Sequence, residues 1–160
     1  MGKFRTSFKL AGRSIGPNEP CLIIAEAGVN HFGDMDKAFA LVDLAVDSGA
    51  DVFKIQHFRT DLLVGATSSE WRNRLRNKEL SDLQVISIKQ YCDKRNIIFM
   101  CTGHDEDSLR FLNRTIGVPA FKVGSGEVKN WYSIQSMAGH GKPIILSTGM
   151  YELEDIFDAI

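Results

Sequence analysis

The sequence predicts a parallel α/β fold. Short apolar runs of strand length alternate with segments of helical periodicity about five times, in units of roughly 25 to 30 residues. The carboxyl end of every predicted strand is polar, whereas the amino ends read Pro-Cys-Leu, Ala-Asp-Val and Val-Pro-Ala. The 160 residues are 44% hydrophobic, enough for one sizeable core.

In chain order, residues 4 to 16 alternate weakly and contain Gly12 and Gly16, which predicts a small hairpin that caps one end of the domain. Met1-Gly2 with Thr6 formally fits a loose lipidation pattern, but an alternating segment entering a hairpin is the plainer reading. Residues 21 to 28 form the first strand, ending on Glu26, an acid that reads as buried. Residues 34 to 48 carry Ala38, Leu41, Val42, Ala45 and Val46 at helical spacing, with Asp34 as N-cap and Gly49 as stop. Residues 51 to 58 form the second strand, and a polar insertion from Arg59 to Lys78 follows. Within it Trp71 to Arg76 is basic and aromatic, either a lid or specificity segment or a solvated amphipathic turn. The remaining pairs are a helix at 81 to 95 and strand at 97 to 102, a helix at 105 to 115 and strand at 121 to 124, and a helix at 132 to 138 and strand at 143 to 147. A last helix begins at Glu152.

Two closures fit five such units: an open doubly wound sheet, or the first part of an eight-stranded barrel, which takes about 250 residues. Length favours the open sheet. A chain that reaches its last residue inside an amphipathic helix favours an interrupted barrel, with two strand edges exposed. Both closures place ligands at the carboxyl ends of parallel strands.

The residues at those ends carry the chemistry. Lys54 and Lys122 interrupt apolar strands, where a charge is disfavoured unless it is paired or faces a polar cavity. Each is either a structural lysine paired with Glu26 or Glu127, or part of an anion site, and their matching positions favour the anion. Thr102, Ser125 and the Gly124 to Gly126 backbone add neutral donors. His31, His57 and His104 follow the first three strands and invite a metal site, but they lack HxH or HExxH spacing and read more simply as loop residues. His140 reads as an exposed turn residue.

No Gly-x-Ser-x-Gly elbow, P-loop or GxGxxG motif is present, which disfavours a serine triad and the common nucleotide sites. With 19 basic and 20 acidic residues the net charge is −1, without the basic field of non-specific nucleic-acid binders. Cys21, Cys92 and Cys101 are odd in number, lack CxxC spacing and read as reduced thiols inside elements. No secretory leader or membrane-length apolar run is evident, which predicts a cytoplasmic protein.

The segments IIAEAGVNHFGD (Ile23 to Asp34), VFKIQ (Val52 to Gln56), LSDLQVISIKQYC with IIFMCTGHDEDSL (Leu80 to Leu109), VPAFKVGSGE (Val118 to Glu127) and GKPIILSTGM (Gly141 to Met150) resemble the sialic acid synthase family. These are the phosphoenolpyruvate-dependent N-acetylneuraminate synthases and the bacterial relatives that make pseudaminic or legionaminic acids. The combination of FKVGSGE with KPIILSTGM is the specific part, and the matches cover nearly the whole chain.

The resemblance implies the N-terminal portion, about five βα units, of a (β/α)8 TIM barrel. It also implies a reaction in which phosphoenolpyruvate C3 attacks the aldehyde of an open-chain N-acyl hexosamine, water adds at C2 and phosphate leaves. In that scheme Lys54, Thr102, Lys122 and Ser125 hold phosphoenolpyruvate, with Lys54 also counted as catalytic through the charge it brings to the reacting centre. Glu26 binds the sugar, Glu127 contacts the sugar or moves a proton, and Gln56 and Ser147 support them. A manganese or magnesium ion held outside this chain, a C-terminal antifreeze-like domain and a homodimer are further implications. One departure from the family pattern is that the usual Thr-Pro-Phe after the third strand reads Thr102-Gly103-His104. Two alternatives remain, a deoxy-octulosonate-phosphate-type synthase and a non-catalytic anion-binding α/β module. With the metal ligands and later sugar contacts expected elsewhere, the 160 residues alone are expected to be inactive or nearly so.

Overall fold

The computed structural model describes residues 6–160. It opens with the hairpin β1 (Phe8–Leu10) and β2 (Arg13–Ile15). Their two-residue turn places Ala11 at φ 49° and Gly12 at φ 85°, the left-handed pair that matches strand twist in tight hairpins. Positions 4 and 5 of the expected hairpin, and the Met1-Gly2 pattern, lie outside the described residues. Arg13 forms an ion pair with Asp51, whose other oxygen accepts the Ile23 N–H at 2.8 Å. Asp51 thus ties the hairpin to the foot of the sheet.

Five parallel strands follow: β3 (Ile24–Gly28), β4 (Val52–His57), β5 (Ile98–Gly103), β6 (Phe121–Val123) and β7 (Ile144–Leu146). They pair in chain order, β3 with β4, β4 with β5, and β6 with β7, and β6 lies against β5. In the doubly wound order the first strand would sit between the second and third. Here β4 occupies that place, the singly wound order of a barrel, so the barrel alternative is the one realised. The first strand begins at Ile24 rather than at residue 21, because β4 offers its first ladder partner at Val52 and residues 21 to 23 precede it. Cys21 is therefore exposed, against expectation, while Cys92 and Cys101 are buried.

The helices are α1 (Met35–Asp47), α2 (Thr60–Leu63), α3 (Ser69–Arg76), α4 (Asp82–Lys94), α5 (Glu106–Phe111), α6 (Trp131–Ala138) and α7 (Leu153–Ala159). Side-chain caps set several starts: Asp34 accepts from Asp36 and Lys37, Ser81 and Gln84 form a reciprocal capping box, and Asp105 accepts from Ser108. A π-helical turn, Leu112–Ile116, prolongs α5 and ends at Gly117, φ 70°. The insertion after β4 is not irregular as expected: it folds into α2 and α3, the latter burying none of its residues. Its polarity hid the helices, since a helix without a buried face leaves no apolar periodicity. No helix among the described residues is long and apolar enough to cross a membrane.

Side chains alternate across the sheet with period two. Phe53, Ile55, Phe99, Cys101, Phe121 and Val123 pack outward against Ala38, Val42, Val85, Ile88, Leu112 and Met137 of the helix layer. The opposite, interior face starts with a smaller cluster of Leu10, Val52, Met100 and Ala120, joined by Ile24, Ile98 and Ile145. Leu10 thus plugs the amino ends of the strands, as the hairpin reading predicts. Two residues further along the same face come Glu26, Lys54 and Lys122. The interior is dry at the foot and charged toward the strand ends.

Candidate functional site

Register decides which polar groups meet. Glu26 on β3 stands opposite Lys54 on β4, which stands opposite Met100 on β5. Lys54 is 6% exposed, forms an ion pair with Glu26 and donates to Thr102 Oγ1 at 3.0 Å. Its charge is therefore held by one carboxylate and one hydroxyl across three neighbouring strands. Glu26 is not buried as expected: its side chain retains 42% exposure. Its strand has a partner on one side only among the described residues, and a bulge between Glu26 and Gly28 turns the backbone at that point. Gly28, φ 58°, leaves room between the Glu26 carboxylate and the Gln56 amide, which lie 3.6 Å and 3.9 Å from where a Cβ would stand. Gln56 and Thr102 face each other one pleat above Lys54.

Lys122 is held differently. It meets no carboxylate among the described residues, but donates to Ser147 Oγ at 2.5 Å and to the Val123 carbonyl at 2.6 Å. Burial lowers its pKa, the Lys54 charge lowers it further, and Glu26 opposes both. Two ammonium groups thus share one interior with a single carboxylate in their layer. An excess of positive charge beside hydroxyls is the electrostatic condition for an anion. Ser125 starts a 3-10 turn, Ser125–Glu127, and approaches Gly149, where a Cβ would come within 3.9 Å of Ser125 Oγ.

Glu127 closes that turn at the mouth of the site. Asn130 Nδ2 donates to Glu127 Oε2 at 2.6 Å, and His104 Nδ1 lies 3.9 Å from Oε1. His104 lowers the Glu127 pKa most, burial opposes it and Asn130 adds to the lowering. The Gly103 that precedes His104 sits in close packing: a Cβ there would lie 3.0 Å from the Leu109 side chain and 3.1 Å from its backbone nitrogen.

The three strand-end histidines do not converge. His31 is fully buried and its Nδ1 accepts the Gly33 N–H at 3.0 Å. His57 points outward, packed on Phe111 with ring centroids 5.4 Å apart and Nε2 3.1 Å from Asp82. Burial lowers its pKa, as does Arg59, while Asp82 and Asp105 oppose. Among the described residues no three His, Cys, Asp or Glu side chains gather as metal ligands. These histidines, as placed, do not fit a divalent ion.

Sequence reasoning missed Asn130 as part of this constellation, although an Asn three residues before Ser133 and directly before a helix is a readable capping signal. It also missed that Ser147 rather than a carboxylate meets Lys122.

Comparison with known proteins agrees with this geometry. The NeuB family model matches residues 41–160. The N,N'-diacetyllegionaminic acid synthase of Legionella pneumophila is 39% identical, over 91% of this chain and 44% of its own length. The human N-acetylneuraminate-9-phosphate synthase is 32% identical, over 89% of this chain and 43% of its own. A crystal structure of N-acetylneuraminic acid synthetase from Leptospira borgpetersenii superposes with a TM-score of 0.90 at 32% identity, covering 96% of this chain and 53% of that one. The chain thus spans less than half the length of these two curated relatives.

Proposed function

Because the chain belongs to the NeuB family, we propose that it carries the phosphoenolpyruvate-holding part of a sialic-acid-type synthase. The observation that carries this reading is the pair Lys54 and Lys122 on one interior face, each bonded to a hydroxyl, with one carboxylate, Glu26, paired to Lys54 alone. Phosphoenolpyruvate brings a phosphate and a carboxylate, and these take the place of the Thr102 and Ser147 contacts at the two ammonium groups. Thr102, Ser125 and Ser147 then serve as hydroxyl donors to the same anion.

In the proposed reaction, the electrons of the phosphoenolpyruvate double bond form a C–C bond from C3 to the aldehyde carbon of an open-chain N-acyl hexosamine. The aldehyde oxygen takes up a proton and becomes a hydroxyl. Water adds at C2 and loses a proton, the tetrahedral intermediate breaks its C2–O bond to phosphate, and a 2-keto sugar acid and inorganic phosphate result. The fixed positive charge of Lys54 and Lys122 holds the phosphate and carboxylate of phosphoenolpyruvate and stabilises the negative charge that grows on the phosphate as its bond to C2 breaks. Glu26 and Gln56 line the side open to the sugar, and Glu127 stands at the mouth as sugar contact or proton acceptor. A manganese or magnesium ion held by residues outside this chain, a homodimer and a cytoplasmic location belong to the same proposal.

Calorimetric titration of the 160-residue chain with phosphoenolpyruvate tests it. Saturable binding that is weakened in Lys54→Met and in Lys122→Met is expected, and no binding by the folded wild type overturns the reading. A 2-keto acid assay of the same chain with N-acetylmannosamine is expected to show no more than trace turnover.

A second reading concerns the acceptor. One relative is named for a 9-phosphate product and another for an unphosphorylated one, so both a free and a phosphorylated sugar are consistent with the family. Competition between the two for a protein that turns over distinguishes them.

A further inference from the structure

Apart from the lysines, a second polar group collects where β5 and β6 end. The two oxygens of Glu127 meet partners from different elements, Asn130 Nδ2 at 2.6 Å on Oε2 and His104 Nδ1 at 3.9 Å from Oε1. Asn130 is fixed in turn. Its Oδ1 accepts the Ser133 N–H at 3.3 Å as the N-cap of α6, which turns its NH2 toward Glu127. Its own N–H donates to the Glu127 carbonyl at 2.9 Å.

His104 is fixed as well. Its backbone N–H donates to the His57 carbonyl at 3.1 Å. The next residue, Asp105, caps α5 and accepts the Arg59 N–H at 2.7 Å. The imidazole lies edge-on to buried Phe58. Asn130 and His104 thus approach the two oxygens of Glu127 from different elements, an arrangement suited to holding a carboxylate for a single task.

We propose that His104 and Asn130 are positioning residues that grip opposite oxygens of Glu127 and present its carboxylate at the mouth of the site, as acceptor for a substrate hydroxyl or a water. The proposal rests on reading the strand ends as a synthase site. A neutral imidazole facing a carboxylate carries its proton on Nδ1, and a protonated one adds a charge at ion-pair distance. His104 Nε2 is buried without a partner, while Nδ1 faces the Glu127 carboxylate at ion-pair rather than hydrogen-bond distance. The lowered Glu127 pKa agrees with this grip. The other charged groups nearby are accounted for: the Tyr151 phenol is kept protonated by burial and by Glu127 and Asp155, and Asp155 pairs with Lys129 at 3.5 Å.

The test is a carbon-13 carboxyl titration of Glu127 in the 160-residue chain by NMR, assigned with Glu127→Gln and run without phosphoenolpyruvate. In the wild type the midpoint is expected below the ordinary glutamate value of about 4.3. His104→Phe is expected to raise the midpoint, His104→Gln to restore part of the shift, and Asn130→Ala to raise the midpoint. Unchanged midpoints in His104→Phe and Asn130→Ala, with amide spectra like the wild type's, overturn the proposal. If His104→Phe does not fold, Asn130→Ala decides, because an unchanged midpoint there overturns it too. Failure of phosphoenolpyruvate to bind would remove the synthase reading and leave this titration standing.

Discussion

Lys122 is a charge on the inner face of the sheet whose hydrogen bonds go only to dipoles. Ser147 and the Val123 carbonyl take two of its donors, while burial and Lys54 work against its charge and Glu26 favours it from further off. A bound anion removes that conflict. Lys122→Met is therefore expected to weaken phosphoenolpyruvate binding by about 2 kcal/mol, roughly 30-fold, the scale of a charged hydrogen bond. Calorimetry checks it, and equal affinity in the variant would detach Lys122 from the anion. His57 makes the opposite use of burial. Its pKa is lowered, so between its folded value and the unfolded value of about 6.5 the unfolded chain binds the extra proton, and stability falls as pH drops through that window. Thermal melts at pH 7 and pH 5 are expected to show this loss, and His57→Gln is expected to reduce it.

Among the elements, α4 and α3 mark two extremes. The start of α4 is closed by a reciprocal box in which Ser81 Oγ accepts the Gln84 N–H at 3.3 Å and Gln84 Oε1 accepts the Ser81 N–H at 2.8 Å. Val85, Ile88 and Cys92 of that helix are fully buried. Ser81→Ala is expected to cost about 1 kcal/mol in denaturant unfolding. By contrast α3 buries nothing, and Trp71, 61% exposed, meets the Arg74 guanidinium rather than the core. Trp71→Ala is expected to change stability by less than about 0.5 kcal/mol. A larger loss would mean that α3 packs against something besides solvent. Helix α1 was readable from its residue spacing and its Asp34 cap, and α4 as a helix over 81 to 95. Both α2 and α3 were not, since ion pairs such as Arg76 with Asp61 at 2.6 Å hold them instead of a buried face.

At the scale of the molecule, β3 and β7 each have a ladder partner on one side only among the described residues. Leu44, Leu153 and Phe157 are more than half exposed on the adjoining helices α1 and α7. Open parallel edges flanked by apolar surface favour pairing with another chain. Sedimentation of the isolated 160 residues is expected to show concentration-dependent self-association, and a monomer at every loading would count against accessible edges.

Much of this architecture is local information. The alternation of strand and helix, the lysines in apolar runs and the polar strand ends are patterns within short windows, and they identified Lys54, Thr102, Lys122, Ser125 and Glu127 as the groups to watch. Whether those groups meet is not local. Side chains alternate with period two, so a slip of one residue between β3 and β4 would send Glu26 to the helix side and leave Lys54 unpaired. Only the register across the ladders places Glu26 and Thr102 on Lys54, and only the β6–β7 pairing delivers Ser147 to Lys122. The order of strands, the outward turn of His57 and the meeting of His104 with Glu127 are likewise set by packing between segments far apart in the chain. The sequence by itself determined which chemical groups the strand ends carry. The tertiary structure decided which of them share a field, because charge interacts through space rather than along the backbone.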